Sequence, residues 1–358
     1  MINKKALIAM SGGVDSSVAA LLMKQRGYNC LGVTMKLYDN ENIGISREKT
    51  CCSLDDIEDA RAVSYKLNMP YYVFNFKAAF EGNVIRKFIS VYESGGTPNP
   101  CIDCNRYLKF NALINRANEL KFDYVVTGHY ARIEYDNYSG RYLLKKGIDD
   151  TKDQSYVLYF LSQNQLAHIL LPLGNYRKTE IRAIAEENGF INADKKDSQD
   201  ICFVPNGDYA GFIENHTGKK YPSGRFITEC GEILGTHNGI IRYTIGQRRG
   251  LGISYSEPLY VCGKNIVKNT ITLGNVNSLF AKDVIANDIN LISVPYINSP
   301  IKLQAKTRYN MIAQSCTAVQ LDDNTIKITF DKPQRAITKG QALVLYDNDT
   351  VVGGGTII

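Results

Sequence analysis

Ser11-Gly12-Gly13-Val14-Asp15-Ser16-Ser17 follows directly on the apolar run Ala6-Leu7-Ile8-Ala9-Met10. The run reads as a short buried strand, the glycines as a tight turn, and Val14 to Arg26 as a helix stopped by Gly27. Two consecutive glycines let the backbone approach an anion closely, and the helix behind them offers N–H groups and the positive end of its dipole. Asp15, Ser16 and Ser17 are expected to add a cap and two hydroxyl donors for phosphate oxygens. Gly-Gly at a strand–helix junction is also an ordinary turn. It is the whole heptad, with strand before and helix after, that makes a phosphate cradle the better reading.

The cradle lacks the G-x-x-x-x-G-K-S/T of a Walker loop and its phosphate-binding lysine. Nor does it fit G-x-G-x-x-G. It resembles the PP-loop, S-G-G-x-D-S. That resemblance implies an enzyme that splits ATP between its α- and β-phosphates, activating a carbonyl oxygen as an adenylate and releasing pyrophosphate.

A chain of 358 residues has room for two or three domains with real cores. Its 44% hydrophobic and 22% charged residues are those of a soluble globular protein. No apolar run approaches the ~20 residues of a membrane span, and Met1-Ile2-Asn3-Lys4-Lys5 before a short strand is too little for a signal peptide. The expected compartment is the cytoplasm. A net charge of +6 is compatible with a polyanionic partner without requiring one. Nine cysteines, an odd number in a chain with no export signal, argue against a disulfide framework.

Strands and helices alternate through the first two hundred residues. Asn29 to Leu37, Tyr71 to Asn75 and Asp123 to Thr127 read as strands. Ser53-Leu54-Asp55-Asp56 reads as a capping box opening a helix to Leu67. Further helices are expected over Lys77 to Tyr92 and over 105–120. This order predicts an α/β fold with a doubly wound parallel sheet and a ligand crevice at the strands' carboxyl ends. Both the Gly turn after Met10 and Gly128-His129 fall there. Beyond Pro205, short alternating runs separated by Gly, Asn and Asp replace the helices, and Thr325 to Phe330 and Ala342 to Tyr346 read as strands with one buried face. The expected organisation is a PP-loop catalytic domain over 1–207, a small middle domain over 208–280, and a C-terminal β-barrel-like domain over 281–358.

Two thiols stand out. Cys104, in Asn99-Pro100-Cys101-Ile102-Asp103-Cys104-Asn105, is placed at or near a helix N-terminus, where the dipole favours thiolate, with Arg106 and Lys109 a turn away. Cys202 ends a polar loop, Lys195-Lys196-Asp197-Ser198-Gln199-Asp200-Ile201, and leads into an apolar strand. The C-x-x-C pair of Cys101 and Cys104 is also compatible with half a zinc site, a redox dithiol or inert packing. A second zinc-ligand pair is missing, and the setting is wrong for a thioredoxin-type motif. Cys30, Cys51, Cys52, Cys230, Cys262 and Cys316 read as structural.

Taken together, the heptad, Gly32-Val33-Thr34-Met35-Lys36-Leu37, Cys51-Cys52-Ser53, Thr97-Pro98-Asn99-Pro100 and Cys104-Asn105 resemble the tRNA-specific 2-thiouridylase family. So do Thr127-Gly128-His129-Tyr130-Ala131-Arg132, Lys152-Asp153-Gln154-Ser155-Tyr156, Asp197-Ser198-Gln199-Asp200-Ile201-Cys202-Phe203 and Tyr243-Thr244-Ile245-Gly246-Gln247-Arg248-Arg249-Gly250-Leu251-Gly252. The likeness runs from the N-terminus to about residue 260 and more loosely beyond. It implies an ATP- and Mg²⁺-dependent tRNA-uridine 2-sulfurtransferase. The wobble uridine is adenylated on O2, takes sulfur at C2 from a protein persulfide, and releases AMP.

By the same resemblance, Cys202 carries the persulfide and Cys104 resolves it by forming a disulfide with Cys202. Ala9, Met10, Ser11, Gly12, Gly13, Val14, Asp15, Ser16 and Ser17 hold ATP, with Met35 and Gly128. Asn99, Pro100 and Cys101 border the target base, and His129, Lys152, Asp153, Gln154, Arg308, Tyr309 and Gln341 contact tRNA. The implied partners are tRNAs of the Lys, Glu and Gln type and a cysteine desulfurase or sulfur-carrier protein.

The residues suit that chemistry. Sulfur transfer to a carbonyl carbon needs a soft nucleophile and a second thiol. A base modified inside an anticodon must be flipped from its stack. Arg248-Arg249 and Arg308-Tyr309 suit phosphate or a stacked base, and equally suit solvated surface charge. His129 reads either as an acid–base group or as a satisfied core imidazole.

One position departs from the family. Some members carry Asp where this chain has Cys101, so Cys101, Cys104 and Cys202 make an alternative three-thiolate set for a 4Fe–4S cluster. Rival readings are another PP-loop adenylating enzyme, such as a lysidine or amidotransferase-type synthetase, and a non-catalytic tRNA-binding protein. The former needs neither thiol, and the latter releases no AMP.

Overall fold

A computed structural model describes residues 4–38, 54–195, 201–204 and 207–358. Ser53 of the expected capping box, Cys51, Cys52 and Lys196 to Asp200 lie outside the described residues. The chain divides into two compact units. One is Met1–Ile85 with Pro100–Gly207 and Asn348–Val352; the other is Arg86–Asn99 with Asp208–Asp347 and Gly353–Ile358.

The first unit is built on a parallel sheet. Its strands are β1 (Lys5–Ala9), β2 (Asn29–Lys36), β3 (Tyr71–Asn75), β4 (Tyr124–Val126) and β7 (Ile169–Leu170), in the order β3-β2-β1-β4-β7. β1 is central, with Ile8 beside Gly32 on one side and Val126 on the other. The order reverses between β1 and β4, so the sheet has its topological switch point there. Helix α1 (Val14–Gln25) is buried along Val14 and from Ser16 to Met23, wedged between the sheet and the helix Lys178–Glu187 through Ile181 and Ala185. It stops at Gly27, whose φ of +82° no β-carbon-bearing residue adopts cheaply. Helix α2 (Leu54–Lys66) covers β2 and β3.

A hairpin of β5 (Ala131–Asp136) and β6 (Arg141–Lys146) leaves the end of β4, and 350–351 pair with Lys145 and Leu144 along its outer edge. The expected 77–92 helix is interrupted. Lys77–Phe80 is α-helical, Glu81–Ile85 winds as a π-helix, and Arg86–Glu93 belongs to the second unit.

The second unit holds two β structures. Strands β8 (Gly224–Thr228), β9 (Ile233–His237), β10 (Tyr260–Asn265) and β11 (Thr270–Gly274) form a mixed sheet in the order β10-β11-β8-β9. Then β12 (Phe280–Leu291), β13 (Ile301–Lys306), β14 (Gln314–Gln320), β15 (Thr325–Arg335), β16 (Ala342–Asp347) and β17 (Thr350–Ile357) run β12-β15-β14-β13-β16-β17. Pairing of Ala286 with Ile357 and Leu291 with Gly353 closes them into a six-stranded barrel.

β15 alternates as expected, with Ile326, Ile328 and Phe330 inward. β16 does not: Ala342 through Tyr346 are all buried, because this strand is covered on both faces. An alternation rule cannot see the second cover.

Candidate active site

Loop 11–13 sits at the carboxyl end of β1, on the switch point. Gly12 has φ +73°, and a β-carbon there would run into the backbone of Asp56, 2.7 Å from its Cα. Gly128, after β4, lies so close to α1 that a β-carbon would stand 2.9 Å from the Asp15 carbonyl carbon and 3.0 Å from Ser16 N. Gly13 is different. Its backbone is extended (φ −90°, ψ 161°), and an added β-carbon would meet only Ser11 Oγ, at 3.5 Å. Packing explains Gly12 and Gly128; at Gly13 nothing in the protein's packing demands a glycine.

Behind the loop, the first-turn N–H groups of α1 have no acceptor within the helix by construction. The side chains do not cap it. Gly13 is the N-cap residue, and the Ser16 and Ser17 hydroxyls donate back to the Gly13 carbonyl at 3.0 and 3.1 Å. The expected Asp15 cap is therefore corrected. Asp15 stands inside the first turn, where a carboxylate complements the dipole.

Asp15 is the hub of a network that the sequence did not reveal. Lys178 Nζ donates to both its carboxylate oxygens at 2.8 Å, and Tyr130 OH donates to Oδ1 at 2.6 Å. Tyr130 is set in turn by Gln154, whose Oε1 accepts Tyr130 N at 3.0 Å while Gln154 N donates to Tyr130 O at 2.9 Å. Asp149 accepts the Lys178 backbone N–H at 2.9 Å; that bond and the Thr151 hydroxyl hold its carboxyl below the usual range.

The loop's floor is equally specified. Met10 O accepts Thr34 Oγ1 at 2.7 Å, which accepts Tyr71 OH at 2.7 Å. Gly12 O takes Asn192 Nδ2 at 2.9 Å and Lys195 Nζ at 3.3 Å, and Lys195 also pairs with Asp56 and Asp59. Burial works against the Lys195 ammonium, and the two carboxylates outweigh it, so its pKa is raised. Asn192 Oδ1 is buried beside the loop with no partner among the described residues. A signal for Lys178 did exist. Arg177 and Lys178 open a helix, where positive charge opposes the dipole, so another partner is needed to hold it.

A nucleotide triphosphate fits this arrangement through the unobstructed backbone at Gly13 and the first-turn N–H groups of α1, while the buried Lys178 is paired with Asp15. Mg²⁺ typically keeps waters and phosphate oxygens and takes only one or two protein carboxylates; the carboxylate beside the loop is Asp15, whose oxygens here are held by Lys178 and Tyr130. Met35 lies half-buried at the end of β2. A 4Fe–4S cluster does not fit. Among the described residues, no three His, Cys, Asp or Glu side chains gather to hold a metal, so Cys101, Cys104 and Cys202 do not form a three-thiolate set.

The two thiols are presented differently from expectation. Pro100–Asp103 is already helical, Asp103 (φ −63°, ψ −42°) continues it, and Cys104–Ala112 winds as a π-helix before Leu113–Glu119. Cys104 thus stands one turn inside the helix, beyond the strongest reach of the dipole, half-buried while Cys101 is exposed. Pro100, buried, takes the first helical position, where its missing N–H costs nothing. The neighbouring Asn105 donates to Val157 O at 3.4 Å and leaves Oδ1 buried without a partner among the described residues. Such π-segments concentrate at functional sites.

Cys202 lies in a turn rather than before a strand. Val204 N donates to Ile201 O at 2.9 Å, and Tyr38 OH donates to Cys202 O at 3.0 Å. Phe203 is buried against Phe80, ring centroids 5.6 Å apart. The turn pins the backbone and leaves the Cys202 side chain half-buried.

Several residues expected to touch tRNA turn inward. His129 is 7% exposed, shares a 2.7 Å hydrogen bond between Nδ1 and Thr127 Oγ1, and packs on Phe110. Burial, and then Lys109, pushes its pKa well below the ordinary value. It is the satisfied core imidazole. Asp153, 9% exposed, accepts from Gly147 N, Ser155 N and Ser155 Oγ. Gln154 is the Tyr130 tether. Lys152 is half-buried, and in the second unit so are Asn99, Arg308 and Gln341, whereas Tyr309 is exposed.

The parallel sheet with a phosphate loop at its switch point defines a PP-loop nucleotide-binding protein. The family described as tRNA methyl transferase HUP domain matches residues 4–206, its PRC-barrel domain 210–275, and an aminomethyltransferase beta-barrel domain 281–357. The chain is 51% identical to tRNA-specific 2-thiouridylase MnmA of Clostridioides difficile over 99% of this chain and 98% of the relative. It is 48% identical to that of Acetivibrio thermocellus over the full length of both. The chain belongs to the tRNA-specific 2-thiouridylase family. A solved 4-thiouridine synthetase–RNA complex with bound ATP matches more loosely: TM-score 0.36, 21% identity, 56% of this chain and 45% of that one.

Proposed function

We propose that this protein is a cytoplasmic tRNA-uridine 2-sulfurtransferase that converts the wobble uridine of Lys-, Glu- and Gln-type tRNAs to 2-thiouridine. The observation that carries this reading is the Gly12-Gly13 loop at the switch point, unobstructed at Gly13, in a chain half identical, end to end, to curated 2-thiouridylases. Residues 1–207 carry the chemistry; 208–280 and 281–358 hold the tRNA. No helix among the described residues is long and apolar enough to cross a membrane, which is compatible with the proposed compartment.

The loop's backbone N–H groups bind the triphosphate, and Asp15, oriented by Lys178 and Tyr130, would be the carboxylate beside a Mg²⁺. The uridine O2 attacks the α-phosphorus and pyrophosphate leaves. A persulfide on Cys202, loaded by a cysteine desulfurase or sulfur-carrier protein, attacks C2 through its terminal sulfur. Cys104 thiolate attacks Cys202 Sγ, the S–S bond to the transferred sulfur breaks, and its electron pair expels AMP. The product is 2-thiouridine with a Cys104–Cys202 disulfide, which an external dithiol reduces before the next cycle.

The test is turnover with unmodified tRNA, ATP, Mg²⁺ and a desulfurase-fed sulfur source, scoring 2-thiouridine and AMP. Wild type yields both in equal amounts, and Cys202→Ser yields no thiouridine. The printed name of the matching family suggests methyl transfer as a second reading. Methylated tRNA without AMP release would establish that instead.

A further inference from the structure

Gln341 and Arg308 were expected as RNA contacts, yet within the second unit both are occupied by the protein. Gln341 Nε2 donates to Thr97 O at 2.9 Å and Pro98 O at 3.1 Å, one for each of its two hydrogens. Thr97 N donates to Lys339 O at 2.8 Å. The fit is tight. A β-carbon on Gly96 would stand 3.0 Å from Lys339 O, and one on Gly340 3.1 Å from Thr97 O. Arg308 grips the other end of the same barrel loop, with Nη2 donating to Ala336 O at 2.7 Å and Thr338 Oγ1 at 2.9 Å. Gln341 is itself fixed where Ile357 N donates to its carbonyl at 2.9 Å.

We propose that Gln341, backed by Arg308, is a positioning residue: the barrel loop 336–341 is a bracket that sets the shape of loop 96–99, next to the position at which the target base is read. This rests on the functional reading for what loop 96–99 does, and on the structure alone for the bracket. Removing the bracket lets Asn99 sample other conformations, so the base is bound but seldom seated for reaction. A phosphate contact behaves oppositely, because its loss lowers affinity and flattens the salt dependence.

The test uses the full-length enzyme with Gln341→Glu, which keeps the shape but replaces both donors with acceptors, and Arg308→Lys, which keeps the charge but loses the fork. Two quantities are read: amide hydrogen exchange over residues 95–99 without RNA, and thiolation against tRNA concentration at several salt levels. The bracket predicts exchange about tenfold faster in both variants, turnover at saturating tRNA down about tenfold, and tRNA Kd and salt slope unchanged. Unchanged exchange, or a raised Kd with unaltered saturated turnover, overturns it. If wild type makes no 2-thiouridine, the functional reading falls, and the exchange data still decide the bracket. Arg308→Lys, at the far end of the loop, covers a Gln341 variant that fails to fold.

Discussion

At Gly12 and Gly13, adjacent residues of one type answer to different demands, and substitution separates them. Gly12→Ala meets a left-handed φ and the Asp56 backbone at once, so it is expected to cost about 3 kcal/mol or more and to lower Tm and activity together. Gly13→Ala meets neither obstacle. Its melting temperature is expected to stay within a degree or two of wild type while ATP-dependent AMP formation falls at least about a hundredfold; equal loss of stability would show that packing, not ligand, set this position. The heptad was legible because a phosphate cradle is a local device, written in consecutive residues. Lys178, Tyr130, Asn192 and Lys195 were not, because each reaches the loop from far along the chain, Lys178 across 163 positions. Only the fold brings them there. His129 was left open between an acid–base group and a core imidazole, because a motif marks a position without saying which way its ring points.

Elements show the same division. Four strands of the parallel sheet, α1 and its Gly27 stop follow from local pattern; the two-residue edge strand β7 (Ile169–Leu170) is too short to leave one. The π-winding at Cys104–Ala112 does not follow from local pattern, and neither does the earlier helix start at Pro100, which leaves Cys104 one turn inside rather than at the terminus. The β10 strand hides a buried cation. Lys264 Nζ has no hydrogen-bond partner among the described residues, and burial pulls its pKa from 10.5 to about 8.

The folded state therefore disfavours the charged form. Below about pH 8 the ammonium is charged in both states and the full cost applies. As pH rises from there towards 10.5 the unfolded chain holds more protons and stability increases. At neutral pH the cost is about 3 kcal/mol. Lys264→Met is expected to raise Tm at pH 7 and to flatten its rise with pH between 8 and 10; a wild-type Tm that does not rise over that interval contradicts the assignment.

On the scale of the whole molecule, the barrel depends on its closing seam. At Gly353 a β-carbon would press on the carbonyl of Asn290 and stand 2.9 Å from Leu291 Cα. Gly353→Val is expected to open the β12–β17 pairing, lowering Tm by about 5 °C and thiolation severalfold while nucleotide binding in the first unit survives. Loss of ATP binding as well would mean that the phosphate cradle depends on the barrel. The bracket also has a consequence in time. Thr97 and Gln341 are separated by 244 positions, roughly 10–50 s of synthesis at ordinary ribosomal speeds. Every named side chain around the phosphate loop has been made by Lys195, whereas loop 96–99 must wait for a partner 244 positions further along the chain. A polypeptide still on the ribosome has every named residue of the phosphate loop but not the barrel loop that holds 96–99, so if the proposed bracket is right a stalled or truncated product modifies RNA poorly from the outset.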